Sequence, residues 1–146
     1  MGVFIDENAI KKEFCLAGVK SGKVRDDEMT ASSINNQSYA AHEGRLDGGR
    51  YWYPHLFNFQ TPGEWLQVDL RTPTTVTGVV TQGGGDFPRQ LRWYQSSGKC
   101  ARFDLNTDST NHVQNLFPNP IRAKYFTLIA VTFHVGIDLR LDYLTC

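Results

Sequence analysis

The chain has 146 residues and equal numbers of basic and acidic side chains, so its formal net charge is zero. That length suits one domain with a real hydrophobic core. Neutrality removes the global field that pulls a protein onto nucleic acid or anionic membrane, and no apolar run approaches the ~20 residues a membrane-spanning helix requires.

Residues 1–14, MGVFIDENAIKKEF, read as a lead-in whose best helical stretch, Glu7 to Phe14, is short and weakly periodic. They carry too many charges for a signal-peptide core. The foldable chain begins at Cys15, and its last residue is Cys146. Pairing these two joins the first and last strands and removes roughly 4–5 kcal/mol of unfolded-state entropy in the loop-closure treatment. Such a bond implies an oxidising compartment, hence an extracellular chain, secreted or at the cell surface. Either the domain belongs to a larger secreted protein or it leaves the cell by another route. Cys100 is left over, as a half-buried thiol or as an intermolecular partner.

Asp26-Asp27-Glu28 reads as a solvated turn, without the alternating oxygens of a calcium loop. Glu64 to Leu70 alternates, with Leu66, Val68 and Leu70 on one face. Val76 to Thr81 is β-branched and closes on Gly83-Gly84-Gly85, and Leu91 to Tyr94 ends at a Ser-Ser-Gly turn. Lys124 to Phe133 is β-branched and aromatic with little alternation, the pattern of a strand covered on both faces. Ile137 to Tyr143 alternates again, apolar at odd positions and charged at even ones. Pro54, Pro62, Pro73, Pro88, Pro118 and Pro120 fall between these runs. Short strands with regular turn residues predict an all-β sandwich or barrel.

Several segments in order resemble the discoidin family, the coagulation factor V/VIII type C domain. They are Cys15 to Ser33, ending Met-Thr-Ala-Ser-Ser; Gly44-Arg-Leu-Asp47; Trp52; Glu64-Trp-Leu-Gln-Val-Asp-Leu70; Val76 to Gly83; Phe117 to Phe126; and Gly136 to Cys146. The resemblance covers residues 15–146. It implies a distorted jelly-roll β-sandwich with its terminal strands joined by the disulfide. It also implies a non-catalytic binding module, with ligands taken at loops on one end. Phosphatidylserine membranes, galactose-type sugars, collagen and carboxy-terminal arginines are the ligand classes it brings, and fold alone does not choose among them.

Three segments map to that end. In Ile34 to Glu43, which is polar apart from Ile34 and Tyr39, the candidates are Asn35, Tyr39 and His42, an aromatic face with hydrogen-bonding neighbours. In Tyr53 to Gly63 they are His55, Leu56 and Phe57; the apolar pair either packs inward or forms a membrane spike or docking patch. This segment has no carboxylate before Glu64, which argues against arginine recognition. In Gly83 to Arg89 they are Asp86, Phe87 and Arg89, and the glycines read as permitting the turn. Asn36-Gln37-Ser38 is an N-glycosylation sequon.

Enzyme chemistry is not expected. His42, His55, His112 and His134 lack metal-ligand spacing. No nucleophile elbow or phosphate loop is present, so neither metal nor cofactor is predicted. The expected partner is a cell-surface glycan, slightly preferred because an aromatic platform with a few polar groups suits a sugar. The alternatives are anionic phospholipid, through Leu56, Phe57 and Phe87, and an extracellular protein. No nucleic-acid partner is expected. Weak single sites favour several copies, through tandem domains or a homo-oligomer.

Overall fold

The structure is a computed structural model that describes residues 15–55, 63–84, 91–96, 100–104, 109–133 and 137–146, with the backbone alone for 91–96, 100–104 and 131–133. Regular helix among these is limited to three single 3-10 turns, at Asp26–Glu28, Gln37–Tyr39 and Ala41–Glu43. The strands are β1 (Met29–Ala31), β2 (Trp65–Gln82), β3 (Leu91–Ser96), β4 (Cys100–Asp104), β5 (Val113–Phe133) and β6 (Arg140–Leu144). All the pairings are antiparallel.

One long ribbon organises the molecule. β2 and β5 pair from Trp65↔Ile129 to Thr81↔Val113, with two register shifts. The first half of β2 also takes β1, through Met29↔Val68 to Ala31↔Leu66. The second half takes β6 instead, through Gly78↔Leu144 to Gln82↔Arg140. β5 carries β3 along its last residues, and β3 carries β4. The ribbon therefore serves two layers and bends between them. The core fills the space enclosed: Leu66, Val68, Phe126 and Leu128 from one layer meet Val76, Leu139, Leu141 and Tyr143 from the other, all fully buried. The rings of Phe126 and Tyr143 lie 5.2 Å apart between centroids, a favourable aromatic spacing.

The bends occur at prolines. Between Asp69↔Tyr125 and Thr74↔Ala123, residues 70–73 bulge out opposite Lys124. Between Val76↔Ile121 and Gly78↔Leu116, residues 117–120 bulge opposite Thr77. Pro73, Pro118 and Pro120 thus lie inside strands rather than between them. A bulge leaves ladder hydrogen bonds unmade, so a residue without an N–H costs nothing there.

Two periodicity readings also change. From Lys124 onward β5 does alternate: Phe126, Leu128 and Ala130 are buried, while Thr127 and Ile129 are partly exposed and Tyr125 is exposed. In the last strand region the charged positions are not all turned to water, since Asp138 and Asp142 are buried. The Asp142 carboxylate accepts hydrogen bonds from the backbone N–H groups of Lys20 (2.8 Å) and Tyr143 (2.8 Å). The segment laid over it, residues 15–24, supplies the polar partner that makes a charged side chain tolerable inside.

Cys15 and Cys146 are disulfide-bonded, with Cα atoms 5.2 Å apart. Around this bond Ala17 N–H donates to the Tyr143 carbonyl (2.9 Å) and Thr145 N–H to that of Cys15 (2.6 Å). The first bend of the ribbon reaches the same end: Asp69, Arg71 and Thr74 line a cleft of about 360 Å³ together with Leu16 and Thr145. Here the acidic turn is only partly solvated. Asp27 is exposed, but Glu28 is buried and paired with Arg71. Arg71 holds a left-handed backbone, φ 66°, anchored where its N–H donates to Asp69 Oδ1 (2.7 Å).

Candidate functional site

The opposite end is built from the segments between strands. Tyr51-Trp52-Tyr53 runs extended, so alternate side chains face opposite ways. Trp52 points inward, fully buried, and its indole N–H donates to the Ser33 carbonyl (2.9 Å). Its backbone exchanges both hydrogen bonds with Leu139 at 3.0 Å. Tyr51 and Tyr53 therefore face the other way, where Tyr39 joins them. Ring centroids are 5.1 Å apart for Tyr39 and Tyr51, 5.9 Å for Tyr39 and Tyr53, and 6.5 Å for Tyr51 and Tyr53. All three are half-buried. The result is a floor of tilted, half-buried aromatic rings.

Main-chain and side-chain bonds hold the floor in place. Asn35 N–H donates to the Tyr53 carbonyl (2.8 Å), and Tyr53 N–H donates to that of Tyr39 (3.2 Å). The Asn36 side chain accepts from Ser38 N–H (2.9 Å), fixing the 3-10 turn that carries Tyr39. Buried Glu64 accepts from the Ser32 and Ser33 hydroxyls, and the Ser33 hydroxyl accepts from His55 N–H (3.0 Å). Glu64, at the strand's edge, is thus a loop anchor and not a ligand-facing carboxylate.

Both ends of β2 arrive here. Gly84, just past its end, is buried, and a Cβ built on it would overlap the Tyr51 ring. This glycine permits close approach, where the sequence reading had the glycine run permitting a turn. Arg140 fixes the same corner by donating to the carbonyls of Gly83 (2.9 and 3.0 Å), Gly48 (2.7 Å) and Ser109 (2.5 Å).

Polar groups lie on the same segments and on those beside them. His42 lies 3.7 Å from Glu43 and Arg50 lies 3.9 Å from it, both loose and part-exposed. Asn35 is half-buried and its Oδ1 accepts from Asn36 Nδ2 (2.8 Å). His55 is exposed. Asp47 is a further node: left-handed at φ 59°, it accepts at Oδ1 from His112 Nε2 (2.6 Å) and pairs with Lys20 at 3.0 Å. Partial burial pushes the Asp47 carboxyl up, but the bonds from His112 and Lys20 outweigh it and hold the group below its ordinary value. Among the described residues no three His, Cys, Asp or Glu side chains converge as a metal site would.

The structure thus brings Asn35, Tyr39 and His55 to one end, while His42 lies beside Glu43 and within electrostatic reach of Asp26. Leu56, Phe57, Asp86, Phe87 and Arg89 lie outside the described residues, as do residues 1–14; of Cys100 only the backbone is described. Sequence reasoning missed Tyr51 and gave Tyr53 no role. The Tyr-Trp-Tyr alternation was the pattern that could have found them.

An antiparallel sandwich, covalently closed at one end and carrying side-chain-rich loops at the other, is the form of a ligand-presenting β-module. Residues 28–141 match the F5/8 type C domain, and the chain belongs to that family. Lactadherin of Mus musculus is 34% identical over 158 residues, a match covering 88% of this chain and 33% of that protein. The chain thus spans about a third of this curated relative's length. Among solved structures, discoidin II of Dictyostelium discoideum superposes with a TM-score of 0.64 at 16% identity, covering 81% of this chain and 54% of that one. The family 32 carbohydrate-binding module of C. perfringens NanJ, in complex with galactose, gives 0.59 at 16% identity, covering 82% and 96%. At these identities the likeness is one of fold: the chain is a discoidin-type jelly-roll.

Proposed function

We propose that the chain is an extracellular, non-catalytic recognition and adhesion module, that residues 15–146 form one domain, and that it takes a cell-surface glycan at the tyrosine end. The observation that carries this reading is the half-buried cluster of Tyr39, Tyr51 and Tyr53. A pyranose presents apolar C–H patches flanked by hydroxyls. Aromatic faces cover the patches and a few polar groups, here Asn35, His42, Arg50 and His55, fix the hydroxyls. The galactose complex of a fold neighbour is consistent with this chemistry. The Cys15–Cys146 bond supports an oxidising compartment. A floor this shallow buries little ligand, so adhesion is expected to come from several linked copies.

The test is a glycan array probed with the disulfide-bonded chain, followed by calorimetry on the best ligand. Binding that Tyr39→Ala or Tyr53→Ala weakens supports the reading. Sedimentation with phosphatidylserine vesicles that Phe57→Ala abolishes, without any glycan binding, overturns it in favour of a membrane ligand. Capture of a protein that survives both sugar competition and lipid removal overturns it in favour of protein docking.

A further inference from the structure

We propose that Asn36 carries an N-linked oligosaccharide, and that this oligosaccharide stands at the rim of the tyrosine cluster and restricts what reaches it. The proposal rests on the extracellular reading above. Asn36-Gln37-Ser38 is the only Asn-x-Ser/Thr triplet in the chain. All three residues are exposed, and they form the one fully exposed run in the segment from Ile34 to Glu43. No sheet ladder includes them. The modification therefore displaces no core contact.

The local geometry accommodates the product. Asn36 is extended, φ −162°, and its Oδ1 accepts from Ser38 N–H, which folds the acceptor triplet back on itself. Its Nδ2 donates to Asn35 Oδ1 (2.8 Å) at the surface. Glycosylation forms a bond between Nδ2 and the sugar's anomeric carbon. The anomeric C–O bond of a lipid-linked diphosphate oligosaccharide breaks, the lipid diphosphate leaves, and one amide proton is lost. One N–H remains, and Oδ1 is untouched, so the turn keeps its bond to Ser38.

Position gives the modification its consequence. The Asn36 carbonyl accepts from Tyr39 N–H (2.9 Å), so both residues belong to a single turn, and Tyr39 is the ring shared by the two shorter pairs of the cluster. A hydrated branched sugar anchored one turn from that ring sweeps the opening beside it.

The test expresses the full chain with an export sequence in a eukaryotic host. Expected is a secreted, disulfide-bonded protein heavier than its sequence by a ladder of sugar masses. Peptide N-glycosidase treatment removes the ladder and leaves aspartate at position 36. Asn36→Gln and Ser38→Ala, the latter keeping the asparagine, are both expected to show the bare mass. A secreted chain with the 15–146 bond formed and a bare mass overturns the proposal while leaving the recognition reading standing. A chain lacking both bond and sugar overturns both. Shielding is read by lactoperoxidase iodination, with labelling of Tyr39 divided by that of Tyr125. Tyr125 is 45% exposed and pairs with Asp69 at the disulfide end, so it serves as an internal standard. The ratio is expected to rise several-fold in Ser38→Ala; an unchanged ratio overturns the shielding.

Discussion

The two ends of this sandwich are held together by different physics. At the disulfide end the fastenings are covalent and ionic: Cys15–Cys146, Glu28 with Arg71, and Arg45, whose guanidinium donates to the carbonyls of Val19 (2.7 Å) and Val24 (2.8 Å) and pairs with Asp26. At the tyrosine end there is no crosslink among the described residues. Tilted and edge-to-face rings, main-chain hooks and a buried carboxylate hold the segments there. The first arrangement resists opening, although it borders the cleft lined by Leu16, Arg71 and Thr145. The second leaves its rings half-buried while their backbone is fixed. With the glycan site proposed at the tyrosine end, substitutions at the two ends should fail in different ways.

The largest separation is expected from Cys15→Ser with Cys146→Ser. Urea unfolding should show a loss of about 2–5 kcal/mol, while molecules that remain folded keep their glycan affinity. A collapse of affinity in the folded fraction would show that the ends are coupled. Arg45→Ala strands two carbonyls that its guanidinium now satisfies, an expected loss of about 2–4 kcal/mol, again with affinity retained. Gly84→Ala acts from the other side. Its methyl must displace the Tyr51 ring, costing about 1–3 kcal/mol in overpacking, and here calorimetry should find binding weakened as well. Tyr39→Ala should lower glycan affinity roughly tenfold, equivalent to about 1.4 kcal/mol, with unfolding shifted by about 1–3 kcal/mol as its two ring contacts are lost.

The smallest effect is expected from acid. The Asp47 carboxyl titrates below its ordinary 3.8 when folded, so the unfolded chain takes up the proton first. Its contribution is complete above that value and lost as pH falls through the folded one. Asp142 has the opposite sign, since burial raises its carboxyl. The folded state binds that proton first, and stability falls as pH rises from 3.8 toward the raised value. Stability curves of Asp47→Asn and wild type between pH 2 and 6 should converge at the acid limit and separate above it.

How much of this was visible in the sequence depended on whether a residue acts along its own strand or across the fold. Leu66 and Val68 announced their burial by alternation, and the terminal cysteines their bond. Pro73, Pro118 and Pro120 read as breaks, because a bulge within a strand and a turn between two strands use the same residue. Asp142 read only as one of the alternating charged positions, because its partner is the backbone of Lys20, distant in sequence. Tyr39 was found as a lone aromatic in a polar segment. Tyr51 was not, because its role depends on Gly84, and nothing local links the two. The glycine run suggested a turn, whereas Gly84 is needed for want of a side chain beneath a ring.

The closeness of Cys15 and Cys146, 5.2 Å between Cα atoms across a sequence separation of 131, has a mechanical side. A pull applied at these two positions passes through the sulfur bridge and bypasses everything between them. The ribbon, both layers and the ring cluster bear no load until that bridge is reduced. A module anchored there can hold its ligand under shear without being unravelled by the force it transmits, and reduction converts it from a rigid tether into an extensible one.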